Sequence, residues 1–255
     1  MNTYLEYIDD EHLMQAIANL YATYQKSFTA KTLQELNKNI MDPFKFQFDT
    51  VFLNQGNAAA TMNQEIFRQS DKSISNAIGL FHQQILGSIY GFCETKDLPC
   101  DVKKCDDTIF AEIKNKHNTM NVRSAAGVYE ELEGLAKSYP KATCYLVEII
   151  AKKSTDEIWE QTINEKKSSH PRIRKISADR FYELATGQGG AFRRLCEVLP
   201  IATRDFLEQN AVMGELGEGK NSEAYVMLTK KAKAQERNEL EEIFQMAFGE
   251  FNGFK

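Results

Sequence analysis

An aspartate, ten intervening residues, then Glu-Ile-Lys: Asp101, Glu112 and Lys114 are the residues of this 255-residue chain whose types and spacing best suit chemistry. Glu112 and Lys114 close an apolar run and lead into an unbroken polar string, Asn115, Lys116, His117 and Asn118. Side chains alternate across a strand, so Ile109, Ala111 and Ile113 share one face while Phe110, Glu112 and Lys114 share the other. The first face reads as core; the second passes from core into charge. An acid two residues before a lysine is common in itself and recurs at Glu94/Lys96, Asp101/Lys103, Glu165/Lys167 and Glu218/Lys220. Only Glu112/Lys114 ends an apolar strand.

Asp106-Asp107 reads as a tight turn between strands at 101–105 and 108–116. A two-residue turn there sets Cys105 opposite Thr108, Lys103 opposite Phe110 and Asp101 opposite Glu112. Directly opposed residues have Cβ atoms about 4.5–5.5 Å apart, and like charges so placed repel. Two such carboxylates call for a cation. Magnesium takes oxygen ligands at about 2.0–2.1 Å and commonly uses one or two protein carboxylates, so it suits the pair. Asp106 and Asp107 are poorer ligands, because five residues at about 3.3 Å put them roughly 17 Å along the strand from Glu112. With a metal held by Asp101 and Glu112, the chemistry is polarisation of a phosphoryl oxygen and activation of a bound water, with Lys114 orienting that water and countering developing negative charge. The bland alternative is a solvated surface cluster.

The elements that must position these groups follow from periodicity. Asp9 and Asp10 can cap a helix bearing Leu13, Ile17, Leu20, Tyr21 and Tyr24. Asp42-Pro43 marks a break, and a second helix is expected from near Ser73 through Ile74, Ile78, Phe81, Ile85 and Ile89. On it His82 reads as a hydrogen-bonded residue at the core's edge. Glu65 and Gln84, on or near the helices before the hairpin, are candidates for outer contacts to the site. After the hairpin, residues 118–121 offer caps for a helix through Val128, Leu132 and Leu135. A strand over 143–151 (TCYLVEIIA), a strand over 173–176, helices around 181–199 and a C-terminal helix near 232–248 complete the pass. The chain therefore reads as one α/β domain, with a helical region over 1–72, a core over 73–151 and a further part over 152–255.

Composition removes several classes. No basic-then-apolar leader opens the chain and no apolar run approaches the ~18 residues of a membrane span, so a cytoplasmic protein without membrane contact is expected. Cys93, Cys100, Cys105, Cys144 and Cys196 fit no zinc spacing and read as reduced, structural residues. Gly214 to Lys220 nearly matches a phosphate-binding loop, but Asn221 stands where Ser or Thr is needed and no strand precedes it, so no nucleotide cofactor is expected. Gly187 and its neighbours read as a helix stop. Charge is uneven: from Lys166 to Arg194 eight Lys/Arg stand against two acids, a segment of +6 in a chain of −5. Such a segment can hold a nucleic acid at one place, or be only a solvated face.

Asp101 with Glu112-Ile-Lys114 resembles the active-site signature of the PD-(D/E)xK nucleases, and the element order is similar to theirs. The extended EIKNKHNTMN, the segment from Asp179 to Gly187 followed by Ala191-Phe192 and Leu199-Pro200, and the ending AFGEFNGF look like the type II restriction endonucleases that read GGNCC, the AsuI-isoschizomer group. The resemblance runs from roughly Ser73 to the C-terminus. It departs in one place, where Cys100 separates Pro99 from Asp101. It implies a restriction-endonuclease-like core, a central mixed sheet flanked by helices, with Asp101, Glu112 and Lys114 catalytic and Asp101 and Glu112 holding Mg2+. It further implies that Asn115, Lys116, His117, Asn118 and Asn121 lie beside the scissile phosphate of double-stranded DNA, at a helix N-terminus suited to anions. His117 as a general base is the less favoured alternative. Lys166 and Lys167 become candidate phosphate contacts, and Arg172, Arg174, Arg193 and Arg194 candidate guanine readers, since Arg or Lys bonds guanine O6 and N7 in a fork. A palindromic target implies a homodimer. The alternatives are a nuclease of DNA repair or RNA processing and a non-catalytic nucleic-acid-binding protein.

Overall fold

The computed structural model describes residues 2–28, 38–163, 165–210 and 223–254. The chain divides into two compact units, 16–81 and a larger one formed by 1–15 with 82–255. Helix α1 (Asp10–Phe28) buries Leu13, Ala16 and Ile17, as its periodicity predicts. Helix α2 (Pro43–Phe52) starts at the Asp42-Pro43 break. The Asp42 side chain accepts from the amides of Phe44 and Lys45, and proline sits in the first turn, where an N–H has no helical partner anyway.

Helix α3 runs over Ala58–Gly87, so it begins well before the expected start near Ser73, and the expected 72/73 boundary falls inside it. The physical reason is the chemistry of its buried positions. Upstream of Ile74 these are Thr61, Gln69 and Ser70, which bury polar groups and leave no apolar stripe to read. Ser70 Oγ, for example, donates to the carbonyl of Ser27 at 2.7 Å. Apolar burial begins only with Ile74, Phe81, Ile85 and Leu86.

The larger unit is built on a six-stranded mixed sheet of order β1-β2-β3-β4-β6-β5. Strands β1 (Phe92–Glu94), β2 (Val102–Lys104) and β3 (Ile109–Lys116) are antiparallel neighbours, while β4 (Thr143–Ile150) and β6 (Lys166–Ser177) extend the sheet in parallel with β3. β5 (Asp156–Ile163) pairs antiparallel with β6 at the edge. This is the α/β architecture, a central mixed sheet with flanking helices, expected from the sequence.

Helix α4 (Val122–Ser138) joins β3 to β4. Its Tyr129, Leu132, Leu135 and Ala136 close over Phe110, Cys144, Leu146, Trp159 and Ile173. The opposite sheet face carries Tyr145, which meets Phe181 of helix α5 (Ala178–Thr186) edge to face. Helix α6 (Ala191–Gln209) follows after Gly187, which ends α5 in the left-handed conformation as its sequence suggests. Phe192 of α6 packs on Phe248, Phe251 and Phe254, tying the C-terminal aromatic run into this layer.

Three expectations are corrected here. β6 is far longer than the predicted strand over 173–176, and β5 was not anticipated at all. Of the β5 side chains only Trp159 is buried, so this edge strand shows no apolar alternation. The single C-terminal helix expected near 232–248 is two, α7 (Glu223–Ala234) and α8 (Glu239–Phe248). Asn238 and Glu241 form a reciprocal capping box that starts α8, and Glu236 takes a φ of 54° in the break. The glycine-rich stretch from Gly214 to Lys220 lies outside the described residues. The five cysteines are free, with Cys100, Cys144 and Cys196 buried. No helix among the described residues is long and apolar enough to cross a membrane.

Candidate active site

The hairpin has the register its turn predicts, with Lys103 opposite Phe110 and Val102 opposite Ala111. Asp107 takes a φ of 58°, and its amide donates to the Lys104 carbonyl at 2.9 Å to close the turn. Asp106 and Asp107 are engaged locally, with Lys104 at 3.0 Å and Lys103 at 2.6 Å respectively. Asp101 lies one residue before β2, its amide donating to the Ala111 carbonyl at 3.0 Å, which sets it beside Glu112.

Asp101 is held at both oxygens. One accepts from the Ile113 amide at 2.7 Å and the other from Gln83 Nε2 at 2.7 Å. The helix residue that reaches the site is thus Gln83, one position from the expected Gln84. Its identity depends on the rotational phase of α3 against the hairpin, which neither segment's sequence carries alone. Glu65 belongs to the smaller unit, where it accepts from Arg68 and Gln69.

Glu112 is only 15% exposed at its side chain and forms an ion pair with Lys114. Burial is the largest influence on its carboxyl group and raises its pKa. The charge of Asp101 raises it further, while Lys114 draws it back down. The same environment pushes the Cys100 thiol up to about 11, first through burial and then through the Asp101 and Glu112 charges.

The opening feature of the sequence, a strand that runs from core into charge, recurs along its neighbours. On the α4 side of the sheet Phe110 gives way to Glu112 and Lys114 in β3. Register sets Cys144, Leu146 and Glu148 of β4 beside them, then Ile173, Lys175 and Ser177 of β6. All three parallel strands turn polar toward their C-terminal ends. Helix α4 contributes here only the partly buried Ala125 and Val128, its first fully buried residue being Tyr129. Crevices at the carboxyl ends of parallel strands are where α/β sheets bind ligands.

The donor set suits a hard divalent cation. Two adjacent carboxylates, one of them oriented by an amide N–H and a glutamine, present oxygen ligands, and Lys114 already supplies positive charge at Glu112. Among the described residues no cluster of three His, Cys, Asp or Glu forms a metal cage.

The remaining expected site residues are distributed as follows. Asn115 is half-buried, and Lys116, His117 and Asn118 are exposed directly beyond β3. His117 is anchored to the end of β4, its amide and Nδ1 both meeting the Ile150 carbonyl at 3.1 Å. Asn121 is the N-cap of α4, accepting from the Ser124 amide at 2.9 Å.

The basic segment does not form one continuous basic face, because β5 supplies acids across the ladder. Lys167 meets Glu160 at 2.6 Å, Arg174 meets Asp156 at 2.6 Å and Lys175 approaches Glu157 at 3.9 Å. Lys166 is exposed near the hairpin's outer end. Arg172 turns inward, donating to the carbonyls of Ala136, Tyr139 and Ala142 at 2.6–3.1 Å. Arg193 and Arg194 stand on a separate element, α6, where Arg193 bonds Glu197 and the Gly253 carbonyl and Arg194 bonds Gln188.

Comparison with known proteins places this geometry in a family. The Eco47II restriction endonuclease family model matches residues 5–208. The chain belongs to that family. It is 35% identical over 260 residues to the type II restriction enzyme Sau96I of Staphylococcus aureus, an alignment that covers 98% of each chain. It is also 33% identical over 226 residues to the type II restriction enzyme Eco47II of Escherichia coli, covering 84% of this chain and 91% of that one. As a member of the Eco47II family, the chain presents its carboxylate pair and lysine on a sheet of the restriction-endonuclease kind. Gln83 and Glu148 are the two polar residues of this region that motif reading passes over. Glu148 did leave a signal, as the sole charged residue in the otherwise apolar TCYLVEII strand.

Proposed function

We propose that this protein is a magnesium-dependent type II restriction endonuclease that cuts both strands of double-stranded DNA at GGNCC. The observation that carries the reading is the Asp101–Glu112–Lys114 constellation at the polar ends of parallel strands, in a chain alignable over 98% of its length with a type II restriction enzyme. That full-length similarity favours site-specific cleavage over a repair or RNA-processing nuclease, and the half-buried carboxylate pair favours catalysis over simple binding.

Asp101 and Glu112 would hold the magnesium ion, which when bound supplies a polarised phosphoryl oxygen and a water of lowered pKa. The protein's own groups do the rest. Gln83 and the Ile113 amide fix the direction in which Asp101 presents its oxygens. Lys114, on the face shared with Glu112, orients the attacking water and offsets charge that develops on the phosphate. Asn115, Lys116, His117 and Asn118 line the path of the strand beyond it, beside the α4 N-terminus that Asn121 caps. Lys166 and Lys167 would contact phosphates. Arg174, Arg193 and Arg194 would read guanine by exchanging their present partners for base edges, while Arg172 has the least freedom to do so.

A palindromic target calls for a two-fold reader with one site per strand, hence a homodimer. Helix α2 has no buried residue and presents Phe44, Phe48 and Phe52 to solvent, an apolar face on which two copies would meet. The test is incubation of the full chain with plasmid and magnesium. Discrete fragments whose ends share GGNCC are expected, whereas smears would indicate an unspecific nuclease and intact plasmid a binding protein. Sedimentation of the protein on a cognate duplex should give two chains per duplex, and one chain would overturn the dimer.

A further inference from the structure

Glu148 is 6% exposed, and among the described residues its carboxylate has no hydrogen-bond or ion-pair partner. Burial penalises its ionised form, so the charges around it matter. In the parallel β3–β4 ladder Glu148 is the register neighbour of Lys114, and both side chains lie on the face that carries Glu112. Adjacent strands are about 4.8 Å apart, well within the combined reach of a lysine and a glutamate. On the other side Lys175, level with Leu146, is the strongest favourable charge acting on Glu148, and it also approaches Glu157 at 3.9 Å. His117 and Lys152 also bear on the carboxylate, from the loops that follow β3 and β4.

The local charge is therefore incomplete. Asp101, Glu112 and Glu148 contribute three negative charges, Lys114 and Lys175 two positive, and the Lys114 ammonium is taken by Glu112. A divalent cation on the Asp101–Glu112 pair offsets both carboxylates, and it also removes Lys114's present partner.

We propose that Glu148 is a positioning residue for Lys114: once a cation occupies the Asp101–Glu112 pair, the ammonium leaves Glu112 and is held at the site by Glu148. This rests on the reading of Asp101 and Glu112 as metal ligands. Glu148 supplies a second docking point that keeps Lys114 on the correct face, and it makes displacement of Lys114 by the cation easier.

The experiment is a calorimetric calcium titration of the full-length wild type, Glu148→Gln, Lys114→Ala and the double variant, with melting temperatures recorded for each. Removing groups that orient ligands commonly costs 10–100-fold in metal affinity. Glu148→Gln should weaken calcium binding about tenfold when Lys114 is present and less than about twofold when Lys114 is already alanine. Cleavage by Glu148→Gln should fall through kcat with KM for DNA nearly unchanged, and Glu148→Asp, which keeps the charge, should recover most of the calcium affinity. Equal weakening in both backgrounds would make Glu148 a ligand of the cation itself and overturn the proposal, as would unchanged affinity in both. Failure of Glu148→Asp to recover affinity, or a loss that merely follows a lowered melting temperature, would assign Glu148 to the fold and overturn it too. A wild type that binds no calcium would instead sink the metal-site reading.

Discussion

Two hairpins of the larger unit carry almost the same charge and differ in what that charge can do. The segment 101–116 around β2–β3 holds four acids and four Lys/Arg, and 156–177 around β5–β6 holds four acids and five Lys/Arg. In the outer hairpin, Lys167 and Glu160 are 69% and 52% exposed, and opposite charges face each other across the ladder. Water screens such pairs, and exposed ion pairs contribute on average under about 1 kcal/mol. In the inner hairpin, Glu112 and Lys114 are 15% and 27% exposed, and a second carboxylate stands beside Glu112. There each charge acts in a medium of lower polarisability, so repulsion and attraction both grow. Burial, rather than the charge count, separates a reactive cluster from a solvated one.

The largest consequence concerns the inner hairpin. Glu112→Gln and Lys114→Ala should each lower cleavage by at least about 100-fold, since removal of a single group that stabilises transition-state charge costs roughly 10²–10³. Melting should stay close to wild type, because the apolar positions 109, 111 and 113 on the opposite face are untouched. Gel shifts should show that DNA still binds. Near-normal plasmid cutting by either variant would erase the contrast between the hairpins, and loss of cutting with a collapsed melting curve would make the inner one structural.

Arg172 tests whether all charge in the outer hairpin is solvated. Its guanidinium bonds three carbonyls at the end of α4 and in the following turn. Hydrogen bonds to charged groups contribute about 1.5–3 kcal/mol, so Arg172→Ala should destabilise by roughly 2–4 kcal/mol in denaturant melts. Affinity for all DNA sequences should then fall together. A loss confined to one base pair at unchanged stability would restore Arg172 as a reader.

Gln83 sharpens the inner side of the comparison. Gln83→Leu removes one of two donors to Asp101 while the Ile113 amide remains. Cleavage should drop about tenfold with a matching loss of calcium affinity, the lower end of what orienting groups contribute. Full activity in this variant would show that the amide alone orients Asp101.

These residues also mark the limit of what the sequence makes legible. The hairpin register could be read because a turn and a change from apolar to charged residues occur within sixteen positions. The parallel strand over 143–150 is equally legible, being apolar apart from Thr143 and Glu148. Gln83 lies one position from the residue the sequence suggests, because helix phase against a distant hairpin is set by tertiary packing. The basic segment is less basic in the fold than in the sequence for a related reason. Its neutralising acids sit in β5, just before the counted window, in an edge strand with a single buried side chain. Local pattern reports which face is buried; it is silent on which charges will meet.

The metal-free protein should show the inner repulsion as a pH dependence of stability. Glu112 has a folded pKa above its ordinary value, because burial and the neighbouring Asp101 penalise its ionised form. The native state therefore holds its proton more tightly than the unfolded chain does. The stability this gives is fully present below the unfolded pKa and is lost as pH rises through the folded one. Glu112→Gln cannot ionise, so its melting temperature relative to wild type should rise over that window, by roughly 2–4 °C for each kcal/mol of repulsion relieved. Paired melting curves with chelator, from pH 4 upward, check this, and parallel curves would show that neither burial nor Asp101 raises the Glu112 pKa.

The smallest effect belongs to the outer hairpin. Lys167 and Glu160 are both largely exposed, so Glu160→Gln should change stability by less than about 0.5 kcal/mol. It should, however, release Lys167 from its partner and remove a negative charge from the surface proposed to face phosphate, so non-specific DNA affinity should rise at low salt and the gain should vanish at high salt. Lys167→Ala should do the reverse, weakening binding evenly across sequences and lowering the salt slope by about one. Salt-dependent gel shifts on cognate and scrambled duplexes measure both. If Glu160→Gln leaves the affinity unchanged at every salt concentration while Lys167→Ala weakens it, the ion pair seen in the free protein does not compete with DNA. If neither variant has an effect, this hairpin does not touch the duplex and its neutralised charge has no part in binding.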